Sequence, residues 1–212
     1  MDQGNTMYIA VGGLAGLVVV VLVIALLVRS WAKKRVVAWQ QAAQAAGLSS
    51  NGEWPLLGMS GSLDGVSVGL KHERDVQYMT SYDSDSSTGR STQKKTKSWC
   101  EAYASIPGGA GDLQIAEEGL FAKLAKLVGG ADIATGDQKF DKRFVVKASN
   151  AEQAKARLGD SARAALLALE ASLRGEITVD QGRVQWKGGG VTHERALEIV
   201  RKLATTARAF GA

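Results

Sequence analysis

The side chains able to do acid–base, nucleophilic or metal chemistry are few. His72 and His193 are the only histidines and Cys100 the only cysteine in the 212 residues. A histidine held near a carboxylate could move protons near neutral pH, and an activated thiolate could attack a carbonyl. Their positions point elsewhere. His72 falls on the apolar phase of a strand pattern, so it reads as a core residue. His193 opens a helix that Thr192 can cap, beside Glu194. Cys100 lies inside the strand-like segment Ser98–Ile106 and reads as a small buried hydrophobe. No H-x-x-x-H or C-x-x-C spacing exists, so no metal ligands are assigned. The sequence names no catalytic or cofactor-binding residue and implies no cofactor.

The densest polar segment is Thr135–Arg143, TGDQKFDKR. Asp137, Asp141 and Arg143 are the candidate ligand-binding cluster. Local ion pairing of Asp141 with Lys142 and Arg143 is the competing structural reading. Phe140, Phe144 and Val146 are expected on one strand face, as core. Gly108–Gly111, Gly129–Gly130 and Gly188–Gly190 lack the spacing of a P-loop or a dinucleotide fingerprint, so they read as turns. No G-x-S-x-G elbow supports a serine hydrolase.

The elements that would position these residues begin with an apolar run. Tyr8 to Val28 holds no charged side chain. At ~1.5 Å per residue it extends about 30 Å, one hydrocarbon core. The expectation is a transmembrane helix over 8–28, following a short extracytoplasmic tail, 1–7. The long core and the lack of a basic n-region argue against a cleaved signal peptide. Tyr8, Arg29, Trp31, Lys33, Lys34 and Arg35 are the expected membrane-interface residues. The basic flank predicts the N-terminus outside and the rest of the chain in the cytoplasm, across a cytoplasmic membrane. Gly12 and Gly16 form a G-x-x-x-G pair, a face for homodimerisation through the helix.

Charge distribution narrows the partners. Of the net +5, +3 lies in residues 1–35, four bases against Asp2. The basic flank can also meet anionic head groups. The remaining chain carries only +2 and shows only Lys94, Lys95 and Lys97 in a polar loop, where nucleic acid would need a basic stripe on the folded domain, so no nucleic-acid partner is expected. One cysteine permits no internal disulfide, which fits a reducing compartment.

Beyond the run, residues 29–47 read as a basic juxtamembrane helix stopped by Gly47. Residues 48–212 are long enough for one domain with its own core. Ser49–Pro55 reads as a linker. Val66, Val68, Leu70, His72, Val76 and Tyr78 keep a period of two, a half-buried strand, with Leu57–Ser62 pairing back across a turn. Residues 80–98 are polar enough to predict a loop. Strands are expected at Ser98–Ile106, Asp112–Ala116 and Lys142–Ser149, and a helix at Glu117–Val128. Asn150 and Asp160 should cap helices Ala151–Leu158 and Ser161–Leu173. Glu176–Asp180 and Arg183–Lys187 flank a Gln181–Gly182 turn before a last helix, His193–Phe210. Strands and helices do not alternate strictly, so the fold class is α+β with an antiparallel sheet and packed helices.

The block Gly136–Val146, GDQKFDKRFVV, resembles a segment of a family of bacterial membrane-anchored proteins of unknown function, G-D-x-x-F-[DE]-[KR]-x-F-x-V. Met59–Val68, MSGSLDGVSV, partly follows that family's L-x-G-x-x-x-G-V-x-V opening. The resemblance covers about residues 57–190. It implies membrane tethering and a bacterial source, and brings no catalytic residues or ligand.

The function expected from sequence is a single-pass membrane-anchored protein whose cytoplasmic domain is a binding or scaffold module with an unidentified protein partner. The competing expectations are a membrane-tethered enzyme acting on lipid or envelope material near His72 or Asp141, and a subunit of an oligomeric membrane assembly.

Overall fold

The computed structural model describes residues 3–82, 90–118 and 132–210, with side chains at Leu17 and, within those stretches, at 19–77 and from 94 onward. The chain forms two compact units, residues 1–38 and 39–212. One helix, α1 (Gln3–Ala45), runs through both. It ends at Gly47, where φ is +70° and a residue without Cβ is favoured.

In the first unit, consecutive residues Val19 to Ile24, then Leu26, Leu27 and Val28, are all exposed, at 49–66%. Successive residues step 100° around a helix, so apolar surface faces every direction. Among the described residues no helix is long and apolar enough to cross a membrane. The N-terminal part of the run, Tyr8–Gly16, lies outside the described side chains.

The second unit is α+β, as the sequence predicts. Eight strands form one antiparallel sheet in the order β1-β2-β3-β4-β8-β7-β5-β6. They are β1 (Leu48–Asn51), β2 (Gly58–Leu63), β3 (Val66–Tyr82), β4 (Arg90–Ser105), β5 (Gln114–Glu117), β6 (Phe144–Lys147), β7 (Glu176–Asp180) and β8 (Arg183–Gly188). Among the described residues the helices of this unit are the end of α1, then α2 (Gln138–Asp141), α3 (Ala151–Arg157), α4 (Asp160–Ser172) and α5 (His193–Ala209).

One face of the sheet carries the core. Val66, Val68 and Leu70 on β3, Cys100, Ala102 and Ala104 on β4, and Val184 and Trp186 on β8 are buried at every second position. The β4 residues are small, which lets α5 lie close across β3, β4 and β8. Helix α5 turns Ala196, Ile199, Val200, Leu203, Ala204 and Ala207 inward, while Leu197 is only half-buried. Leu166 and Leu169 of α4 are buried beside it. Asn150 and Thr192 cap α3 and α5 as expected.

Several boundaries differ from the sequence expectation. The predicted linker Ser49–Pro55 overlaps β1, which pairs with β2 from Leu48↔Gly61 to Asn51↔Gly58. Four residues with little apolar content gain a strand partner that no local pattern announces. The predicted loop 80–98 is mostly strand: β3 and β4 stay in register out to Tyr82↔Arg90. Backbone pairing between the strands supplies there what side-chain burial does not. Phe140 is helical, in α2, and reaches Phe144 by stacking rings at 5.0 Å instead of sharing a strand face. Asp160 begins α4 without capping it. Gly159 is the N-cap, and Asp160 turns to Arg163. Glu117 closes β5, and the rest of the helix expected at Glu117–Val128 lies almost wholly outside the described residues.

Candidate functional site

The predicted polar cluster is local scaffolding. The Asp141 carboxylate accepts hydrogen bonds from Thr135 N–H at 3.1 Å, Thr135 Oγ1 at 2.7 Å and Gly136 N–H at 3.2 Å. Asp137 caps α2 by accepting from Lys139 and Phe140 N–H. Arg143 turns away to Glu170 at 3.3 Å. The three residues therefore do not converge on one point. The ion pairing of Asp141 with Lys142 and Arg143 that the sequence suggested gives way to these nearer donors from Thr135 and Gly136. Tying down the segment from Thr135 to Arg143 this way delivers Phe140 and Phe144 to the core.

His72 is half-buried. Its ring meets the Trp39 ring edge-on at 5.3 Å, and Nδ1 lies within hydrogen-bond reach of Leu57 O. It fastens the end of α1 to β3. Asp141 lies just before β6, which stands five strand spacings across the sheet from β3, roughly 24 Å at the usual inter-strand distance. His193 Nε2 faces Glu194 at 2.9 Å on the first turn of α5. Cys100 is fully buried, and burial pushes its thiol up to about 11, leaving it protonated and unreactive. Among the described residues no group of histidines, cysteines and carboxylates could hold a metal. A groove of about 550 Å³ opens between α4, β8 and the start of α5, and touches neither His72 nor Asp141. Its polar groups serve the fold: Arg195 donates to Ser172 O at 3.2 Å, and Trp186 Nε1 to Arg174 O at 3.3 Å.

What the tertiary structure does assemble is the polar face of the central strands. Lys71, Glu101 and Lys187 stand side by side across β3, β4 and β8. Glu101 meets Lys187 at 3.0 Å and Lys71 at 3.4 Å, and accepts from Trp99 Nε1 at 2.8 Å. Burial alone would raise the Glu101 carboxyl. The Trp99 and Lys187 hydrogen bonds and the Lys187 and Lys71 charges outweigh it and hold the group below the usual carboxylate range. The Glu73 hydrogen bond at 2.7 Å, against weaker desolvation, holds Lys71 above its ordinary value. Lys187 Nζ lies 4.7 Å from the centre of the Trp99 ring, and the Arg183 guanidinium 4.7 Å from that of Tyr103. These are cation–π distances.

The Tyr103 ring lies over Gly69, its cross-strand partner. A Cβ there would come within 2.5 Å of the ring. The result is a face of amphipathic rings and paired charges, with no nucleophile beside a base. It suits binding of a polar surface and offers no evident covalent chemistry. The sequence signal was present as Trp99-x-Glu101-x-Tyr103 and Arg183-x-Gln185-x-Lys187, the polar phase of two strands. Only the register showed that they adjoin.

Tyr8, Gly12 and Gly16 lie outside the described side chains, so the dimer face expected there has no described geometry. Arg29, Trp31, Lys33, Lys34 and Arg35 follow the apolar run on α1, and the Arg35 guanidinium sits 5.1 Å from the Trp31 ring centre. Comparison with protein-family models, curated proteins and solved structures finds no match, so the resemblance carried by Gly136–Val146 stays an expectation from sequence.

Proposed function

We propose that α1 tethers the chain to a bilayer and that the α+β unit works there as a binding or scaffold module. The observation that carries the tether is the apolar surface exposed on every side of α1 from Val19 to Val28, followed at once by Arg29, Lys33, Lys34 and Arg35. Exposed apolar surface facing all directions has no use in water, whereas lipid covers it on all sides. The charge asymmetry supports a cytoplasmic domain.

The binding role is supported by the polar face of β3, β4 and β8. Its charges and rings already contact one another, which reduces the side-chain entropy lost on docking.

Membranes from cells expressing the full chain test the tether. The protein should resist alkaline extraction, and Leu22→Arg with Ile24→Arg should release it. Recovery of the unaltered chain in the alkaline supernatant overturns the reading. A photo-crosslinking residue at Gln185, in the middle of the polar face, tests the module. It should give a discrete product that Tyr103→Ala abolishes, while the same probe at Glu152 gives none. Equal products from both positions, or none from Gln185, count against a binding face.

A further inference from the structure

Strands β3 and β4 outrun the rest of the sheet. β2 pairs with β3 only as far as Leu70, and β8 pairs with β4 only as far as Cys100. Beyond those points Lys71–Tyr82 and Arg90–Trp99 continue as a two-stranded ribbon. At ~3.3 Å per residue Lys71 to Tyr82 extends about 36 Å. A two-stranded ribbon is marginal in water by itself, so one this long calls for a covering surface.

Its chemistry says what kind. From Arg90 to Ser98 the β4 strand carries Arg90, Lys94, Lys95 and Lys97 and no acid. Lys94 through Ser98 are all exposed. Among the described residues Lys94, Lys95 and Lys97 form no ion pair, although Lys97 stands opposite Asp75 in register; the Asp75 carboxylate accepts from Gln77 instead. The acids of the ribbon, Glu73 and Asp75, sit on β3, so one edge is basic and the other mixed.

The ribbon's base has a defined place in the fold. Trp39, where α1 enters the second unit, meets His72 at that base, while Leu48, after the helix, pairs with Gly61 towards the other end of β2. The chain thus enters the α+β unit at the end of the sheet that bears the ribbon.

We propose that the β3–β4 ribbon is a second membrane contact, its β4 edge lying on anionic phospholipid head groups through Lys94, Lys95 and Lys97. The proposal rests on the tether reading above. Exposed lysines with no ion-pair partner among the described residues gain most from a negatively charged surface. A DNA groove is the weaker fit, because Glu73 and Asp75 on the paired strand would face phosphates.

The test uses the full chain in lipid nanodiscs of phosphatidylcholine alone or with phosphatidylglycerol, read by amide hydrogen exchange. Retention in both disc types reports the tether. Given retention, exchange in 71–77 and 94–99 should be about tenfold slower in the anionic discs. That protection should vanish at high salt and in Lys94→Gln/Lys95→Gln/Lys97→Gln, whose sheet core exchanges as before. Equal exchange in the two disc types overturns the ribbon contact while leaving the tether standing. Protection by a DNA duplex in neutral discs, with none from anionic lipid, also overturns it. Loss of the chain from both disc types overturns the tether on which it rests.

Discussion

Asp141 shows how a residue that reads as a ligand can serve the fold. Its carboxylate takes three donors from Thr135 and Gly136, two of them backbone N–H groups. Asp141→Ala leaves those donors without their partner and is expected to lower stability by about 1–3 kcal/mol, read as a shift in denaturant midpoint with crosslinking from Gln185 unchanged. Glu117 makes the opposite case. Burial and the nearby Glu170 and Glu176 charges raise its carboxyl, despite the Ile177 N–H bond that favours the ionised form. A raised acid contributes stability below its unfolded pKa and loses it as pH rises through the folded pKa. Glu117→Gln should therefore be more stable than the parent chain at neutral pH, with the difference shrinking as pH falls through the raised folded pKa and gone below the ordinary glutamate range. Thermal unfolding of both across that range checks the sign.

Among the elements, the stop of α1 at Gly47 decides where the sheet begins. With φ at +70° and no atom within 4 Å of the point where a Cβ would stand, Gly47→Ala meets backbone strain but no clash. The expected cost is about 1 kcal/mol, seen in thermal unfolding of the α+β unit. Gly69 is different, since its constraint is the Tyr103 ring above it. Gly69→Ala should be destabilising in the parent chain, and less so when Tyr103→Ala has already removed the ring. A double-mutant cycle measures that coupling. Equal penalties in both backgrounds would show that the ring does not constrain the strand.

For the whole molecule, the prediction concerns orientation. For the proposed tether the positive-inside rule would act through Arg29, Lys33, Lys34 and Arg35, with only Asp2 on the other flank. Replacing all four with glutamine and adding lysines within residues 2–6 should move the α+β unit across the membrane. Labelling of an introduced cysteine at position 90 by a membrane-impermeant reagent distinguishes the two orientations. Labelling of position 90 from outside in the unaltered chain would remove the cytoplasmic assignment.

Much of this architecture was legible because its causes are local. The β3 alternation from Val66 to Leu70, the Gln181–Gly182 turn with both residues at positive φ, and the caps Asn150 and Thr192 depend on neighbours a few residues away. The apolar run and its basic flank are equally local, and they remain the basis for the tether. What sequence missed depends on pairing across distance. Ser49–Asn51 became a strand because β2 lies beside it, and residues 90–98 became a strand because β3 extends opposite them. The Lys71–Glu101–Lys187 row joins residues far apart in the chain, brought together by the strand order β3-β4-β8. Residue types and spacings specify which segments can be helix or strand and which face is apolar. Strand order and register require the folded sheet, because backbone hydrogen bonds carry no record of the residues they join.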